Sequence, residues 1–450
     1  MADQAIIQSV MAPLIERCAD PMLAQLAKAV ATMPGERARM LSDMLAEEVH
    51  DRRLRNIVLA PIVPMFYPRS DGIESLIFPA GVLPRLWKIA SNREPALLHR
   101  IEGDDPSAVI VANRICVAAA AAVRDQPDVV WPPELSSPEA REQGLAELAA
   151  CLDLCHLARQ GLESLDGWLT RPDGDQLAEL RLLIRDSANV MPDGGQRILE
   201  ILFAHLLDAV MILRIVTQTS GAAGRESFLS ASELAGFVDR LIVGVTQRVE
   251  RVGAYKPSGG SVQDVIRDVN WCAGVLAELD ATLELEPGSV WGRSARHARV
   301  AISKTLNALL RTSEKMVDKA LPLVRVTITG RMTRQAPKLD APLDSEAMKD
   351  ARKLLHLVGA VRGAAAIFGC ESERRQLIDA LMQRLSTYAE EAFVAVNSGE
   401  GDSKHVLKLI GVSAEFQMLI GEKSSAIVLR RRVTVASRTA MMARTPDVLI

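Results

Sequence analysis

Residues Ser137–Thr170 read SPEAREQGLAELAACLDLCHLARQGLESLDGWLT. Their apolar members Leu145, Leu148, Leu152, Cys155, Leu162, Leu165 and Leu169 recur at steps of three, four or seven. That spacing lays them along one stripe of an α-helix, whereas a strand would need alternation with period two. Ser137 followed by Pro138 suits a helix start, because Pro at the first helical position gives up no needed hydrogen bond.

The same period extends outward. From Ser261, the residues Val262, Val265, Val269, Cys272, Leu276, Leu279 and Leu283 form a second stripe, with Asp264 placed three after Ser261 as a near capping box and Pro287–Gly288 as a stop. Comparable helices are predicted near residues 4–31, 36–50, 106–124, 173–188, 194–219, 230–250, 289–320, 345–368, 372–396 and 403–420, with the short connections of antiparallel bundles. Composition agrees. The chain is 48% hydrophobic but only 4% aromatic, so Leu, Ala, Val, Ile and Met must fill its interior, and these suit helix-on-helix packing better than sheets. The expected fold is all-α: a large antiparallel helical array or multi-helix bundle with a smaller C-terminal helical bundle.

Two stretches break the pattern. Within Ile57–Trp87, Pro61, Pro64, Pro68, Pro79 and Pro84 punctuate a very apolar run, so no long helix passes through and a buried irregular segment is expected. Its Met65, Phe66, Tyr67, Phe78 and Trp87 suit the lining of a ligand pocket, a partner-facing surface or the cap of a helical core, and in an aromatic-poor chain the last is the favoured reading. Within Leu321–Leu343, Val324, Val326 and Ile328 alternate with Arg325, Thr327 and Thr329 before Gly330 and a Pro- and base-containing run. The expected organisation is therefore an array over residues 1–320, a linker with room for a short strand over 321–343, and a bundle with a basic tail over 344–450. A fixed-period repeat is not evident.

A formal net charge of -3 on 450 residues sets up no whole-molecule field that would gather nucleic acid or anionic lipid, so such a partner would need a local patch. The six Cys are scattered singly and read as reduced core residues. Met1–Asp20 contains Asp3 and Glu16 and lacks a basic segment leading into an apolar run, so no secretory signal is expected and the cytoplasm is the expected location. Abundant Ala and Arg, with no Lys between Lys88 and Lys256, fit a GC-rich bacterial genome. The most apolar helix, Ile198–Val216, carries Glu200, His205, Asp208 and Arg214 and reads as a buried core helix rather than a membrane span.

Chemistry-bearing patterns are sparse. Gly421–Ser425 (GEKSS) lacks the first Gly of a phosphate loop and reads as a turn between helices, and Gly259–Gly260 before Ser261 reads as an ordinary helix start. Cys151, Cys155 and His156 lack the paired Cys-x-x-Cys units of zinc sites. Glu47 and His50 have the Glu-x-x-His spacing of carboxylate-bridged metal bundles without a second copy, so no metal or cofactor is expected. Glu200, His205 and Asp208 are the candidates for a polar catalytic site inside the array. Arg430, Arg431 and Arg432, with Arg438 and Arg444 beyond, are candidates for anion binding at the C-terminus, where aromatic residues for base stacking are missing.

The run Gly359–Gly369 (GAVRGAAAIFG) resembles the active helix of histidine phosphotransfer domains, with Arg362 and Gly363 standing at its Lys-Gly positions. The sequence departs from that pattern where Gly359 occupies the place of the phosphorylatable His. What the resemblance implies is a degenerate phosphotransfer-like bundle that docks a receiver domain, with Arg362, Gly363 and Phe368 as partner-binding residues. The small residues also suit close helix packing.

With amphipathic helices plentiful and catalytic motifs sparse, the expected function is a non-catalytic intracellular scaffold or protein–protein interaction protein. The alternatives are a helical enzyme or ligand-binding protein with a polar site in the N-terminal array, and the signalling adaptor just described. Protein partners are expected, homo-oligomers and peripheral membrane contact stay open, and there is no strong nucleic-acid signal.

Overall fold

The computed structural model describes residues 11–442 except 13, 16–17, 19, 102–106, 170–172, 220–224, 233 and 330–331. Helix starts carry the side-chain caps that the sequence offers. Ser137 and Ser261 accept from the backbone N–H groups of Ala140 and Asp264, both at 3.4 Å, and Ser345 accepts from Met348 at 3.2 Å. Asp173 and Gln176 cap each other's backbone at 2.9 and 3.0 Å. Each such bond satisfies an N–H that the first turn would leave orphaned.

The fold is all-α and multi-helical, as its periodicity implies. It divides into two compact units, residues 1–221 with 232–234, and residues 222–231 with 235–450. Among the described residues no helix is long and apolar enough to cross a membrane.

In the first unit the principal helices are Asp20–Ala31, Glu36–Val58, Val82–Arg93, Ala108–Asp125, Pro138–Asp153, Cys155–Leu169, Gly174–Val190, Gly194–His205 and Ala209–Thr219. Leu148, Leu152, Cys155 and Leu165 of the 137–170 stripe are buried, and the helix is interrupted at Leu154. The proline-punctuated segment is irregular but only partly buried: after a 3-10 turn at Val63–Phe66 comes a stretch without regular structure in which Ile73 and Phe78 are buried and the other residues are half-buried or exposed. Ile62, Met65, Phe66, Phe78 and Trp87 are buried while Tyr67 is exposed. Phe78 stands 5.4 Å from Phe66 and edge-on to Trp131 at 6.3 Å.

Buried irregular backbone must find partners for its polar groups. Here the segment is sewn to the C-terminal end of Gly194–His205. Arg69, ion-paired with Asp71 at 2.5 Å, donates to the carbonyls of Leu206 at 2.6 Å and of Phe203, and His205 Nε2 lies 2.9 Å from the Pro61 carbonyl. A cation at a helix C-terminus also meets the negative end of the helix dipole. With these carbonyls taken and Asp208 capping Val210 at 2.8 Å, the expected single helix over 194–219 is two helices.

The second unit contains the helices Ala235–Ala254, Val262–Thr282, Val290–Ala320, Glu346–Ala360, Arg362–Ile367, Glu371–Ser398, Ser403–Leu419 and Lys423–Met442. Between the third and fourth of these lies a hairpin of β1 (Leu323–Thr329) and β2 (Met332–Pro337), antiparallel, with Leu323 opposite Pro337 and Val326 opposite Arg334. The stretch 321–343 lies inside this unit, and the helices on either side of it share one core. Leu310, Val317 and Leu321 pack in the same cluster as Met348, Leu355, Leu381 and Phe416. The boundary between compact units falls at residues 222–235 instead.

Candidate functional site

Along Glu36–Val58, the residues Met44, Glu47, Glu48, Asp51 and Leu54 follow at helical steps and share one face. Facing them are Pro95, Leu98 and His99 of the 3-10 turn Pro95–Arg100, and Ala12 and Ile15 from the N-terminal stretch. Together with His50 they line a cleft of about 570 Å³, within the range of ligand sites. The Glu-x-x-His pair visible in the sequence is thus joined by Glu48, Asp51 and His99.

Two structural devices hold this cleft. Buried Arg52 donates to Glu48 at 2.6 Å, to Asp20 at 2.7 Å, and to the carbonyls of Cys18 at 2.6 Å and Ile15 at 2.8 Å, tying the N-terminal stretch to the helix. Burial pulls the Arg52 pKa down, but its bonds with Glu48 and Asp20 outweigh this and leave it above the usual value. On the other side Trp87 Nε1 donates to Asp51 at 2.7 Å and fixes that carboxylate.

The lining therefore combines an aliphatic floor with carboxylate acceptors and two imidazoles. Among the described residues it offers no Ser, Thr, Cys, Lys or Arg side chain, and so neither a hydroxyl or thiol nucleophile nor a fixed cation. Among the described residues no group of three or more His, Cys, Asp or Glu is disposed to hold a metal ion.

The other candidates take separate places. His205 is bound to the Pro61 carbonyl, and burial holds its pKa below the usual imidazole value despite that bond. Asp208 is an exposed helix cap, and Glu200 is buried within electrostatic reach of Arg197 and Cys151. Each is committed to a different neighbourhood. Cys151 and Cys155 are buried while His156 is exposed, and Cys116 donates to the Val58 carbonyl at 3.3 Å.

In the second unit Arg362 and Gly363 are exposed on a short helix, but Phe368 is buried and contributes to the core. The absence of a His at position 359 has a packing cause: a Cβ there would stand 2.1 Å from the Leu419 carbonyl oxygen. Arg430 and Arg431 are exposed, and Arg432 is bound to Glu390 at 2.9 Å with its guanidinium 4.6 Å above the Phe393 ring. A shallow groove of about 420 Å³ is lined by Phe393, Asn397, Arg431, Arg432, Val435 and Ala436.

A charge cluster around buried Asp268 and Arg248 escaped the sequence reading altogether. Asp268 accepts two bonds from Arg251, at 2.8 and 2.9 Å, and pairs with Arg248, whose guanidinium lies 3.6 Å from the Trp271 ring centre. The i,i+3 step from Arg248 to Arg251 was readable, but the pairing with Asp268 on the next helix was not. Comparison with known proteins returns no match, whether to a family model, a curated protein or a solved structure.

Proposed function

We propose that this chain is a non-catalytic interaction protein, an all-helical scaffold whose first unit receives a segment of a protein partner in the cleft along Glu36–Val58. One observation carries the reading. The cleft gathers Glu47, Glu48, Asp51, His50 and His99 around aliphatic Ile15, Met44, Leu54 and Leu98, with no hydroxyl or thiol among its described lining residues. An acceptor-rich rim over an apolar floor is complementary to a cationic side chain flanked by aliphatic ones, so the partner segment carries Lys or Arg beside Leu, Ile or Val.

A peptide array spanning charge and hydropathy tests this. Wild-type protein should select basic-aliphatic peptides, and Glu47→Lys and Leu98→Asp should each abolish the selection while the helical circular dichroism is kept. A wild-type profile indistinguishable from that of the two variants overturns the reading.

A further inference from the structure

The hairpin and the last helix share an unusual composition. Leu323–Lys338 contains Arg325, Arg331, Arg334 and Lys338, and Lys423–Met442 contains Lys423, Arg430, Arg431, Arg432 and Arg438; neither contains a single Asp or Glu. Both elements reach the same point of Glu371–Ser398. Arg334 pairs with Glu391 at 3.1 Å, and Arg432 pairs with the adjacent Glu390. Two carboxylate-free, basic elements are thereby tied to neighbouring residues of one helix of the second unit.

Both also turn aliphatic side chains to solvent. On the last helix Ala426 and Leu429 face inward, while Ile427, Val428, Arg431, Val435 and Arg438 follow at helical steps on the outer side. Val428 is 57% and Val435 64% exposed, and on β1 Val324 and Val326, on the face that carries Arg334 across the hairpin, are each 41% exposed. A two-stranded hairpin has little stability of its own, and one that leaves its valines uncovered gains from a surface that covers them. Aliphatic residues set among cations, on an element without anions, form the pattern by which a helix lies in the headgroup layer of an anionic bilayer. Neither element contains an aromatic residue, which disfavours single-stranded nucleic acid, where bases need a stacking face.

We propose that β1–β2 and the helix Lys423–Met442 together form a docking surface for an anionic lipid bilayer, with Arg431 and Arg438 on headgroup phosphates and Val324, Val326, Val428 and Val435 at the acyl boundary. The surface is independent of what the first unit binds.

Cosedimentation of the full chain with vesicles tests it, using phosphatidylcholine alone and phosphatidylcholine mixed with phosphatidylserine. Binding is expected to the mixed vesicles only and to weaken as salt is raised. Arg431→Ala with Arg438→Ala should weaken it about 30-fold, at about 5-fold for each cation near the surface. Val428→Asp with Val435→Asp should abolish it. All four positions are exposed, so the fold should survive, and unchanged helical circular dichroism verifies this. Failure to bind the mixed vesicles, or equal binding to both kinds, overturns the proposal. So does retention on duplex DNA without vesicle binding, or a dimer that the valine substitutions dissociate without vesicle binding.

Discussion

At the scale of the residue, polar side chains in this protein mostly close backbone accounts that helix ends and irregular segments leave open. Arg52, Arg69 and His205 each bind main-chain carbonyls far away in sequence, so their roles depend on the fold and cannot be read from their neighbours. His205 gives a pH-dependent consequence. Burial lowers its folded pKa below 6.5, the ordinary value that the unfolded chain retains. Above that value both states carry the neutral ring. As pH falls through it, the unfolded chain takes up a proton that the folded one resists, so stability present at neutral pH is lost on acidification. Urea unfolding of the wild type should therefore lose more stability between about pH 7.5 and about pH 5.5 than that of His205→Gln, which can still donate to the Pro61 carbonyl. Equal losses in the two proteins would show that His205 titrates alike in both states.

At the scale of the element, helices and the breaks made by proline or by strand alternation were legible, and the breaks made by distant residues were not. Period 3.6 shows in Leu145, Leu148 and Leu152 because a stripe must face a core, and this is a property of local sequence. The break at Leu206–Asp208 depends on Arg69, more than a hundred residues away, which takes the carbonyls where the helix stops. The candidate cleft divides in the same way. Glu47–His50 was visible as a spacing, whereas His99 stood in a stretch without a helical period and Asp51 meets Trp87 only through the fold.

Gly359 and Gly363 separate a packing requirement from a recognition motif. At Gly359 an added Cβ meets a backbone oxygen, while at Gly363 nothing lies within 4 Å. Gly359→Ala should therefore destabilise the second unit by about 3 kcal/mol, the upper range for overpacking. Gly363→Ala should stabilise it by about 0.5 kcal/mol, since Ala is the better helix former. Chemical denaturation of both variants checks the pair, and similar effects of one sign would contradict the assignment.

At the scale of the whole molecule, alternation of valines with polar residues in 321–329 correctly suggests extended chain, but an extended segment is not in itself a boundary. β1 and β2 pair with each other, and Lys338 N donates to the Pro322 carbonyl at 2.9 Å, so the chain returns to where it left. Leu310, Val317 and Leu321 then cover the same core as Met348, Leu355 and Leu381. Within the crossing at 222–235, Glu226 accepts the Glu286 N–H at 2.7 Å and Leu229 is fully buried, which ties this short segment to the second unit. A fragment of residues 222–450 should accordingly unfold in urea in one sigmoidal transition. A fragment of residues 344–450 lacks the helix Val290–Ala320 that closes its core, so it should bind the dye ANS and unfold without a cooperative transition, as expected where apolar surface is left open. Cooperative melting of the shorter fragment without dye binding would instead make 321–343 the true division between independently folding parts.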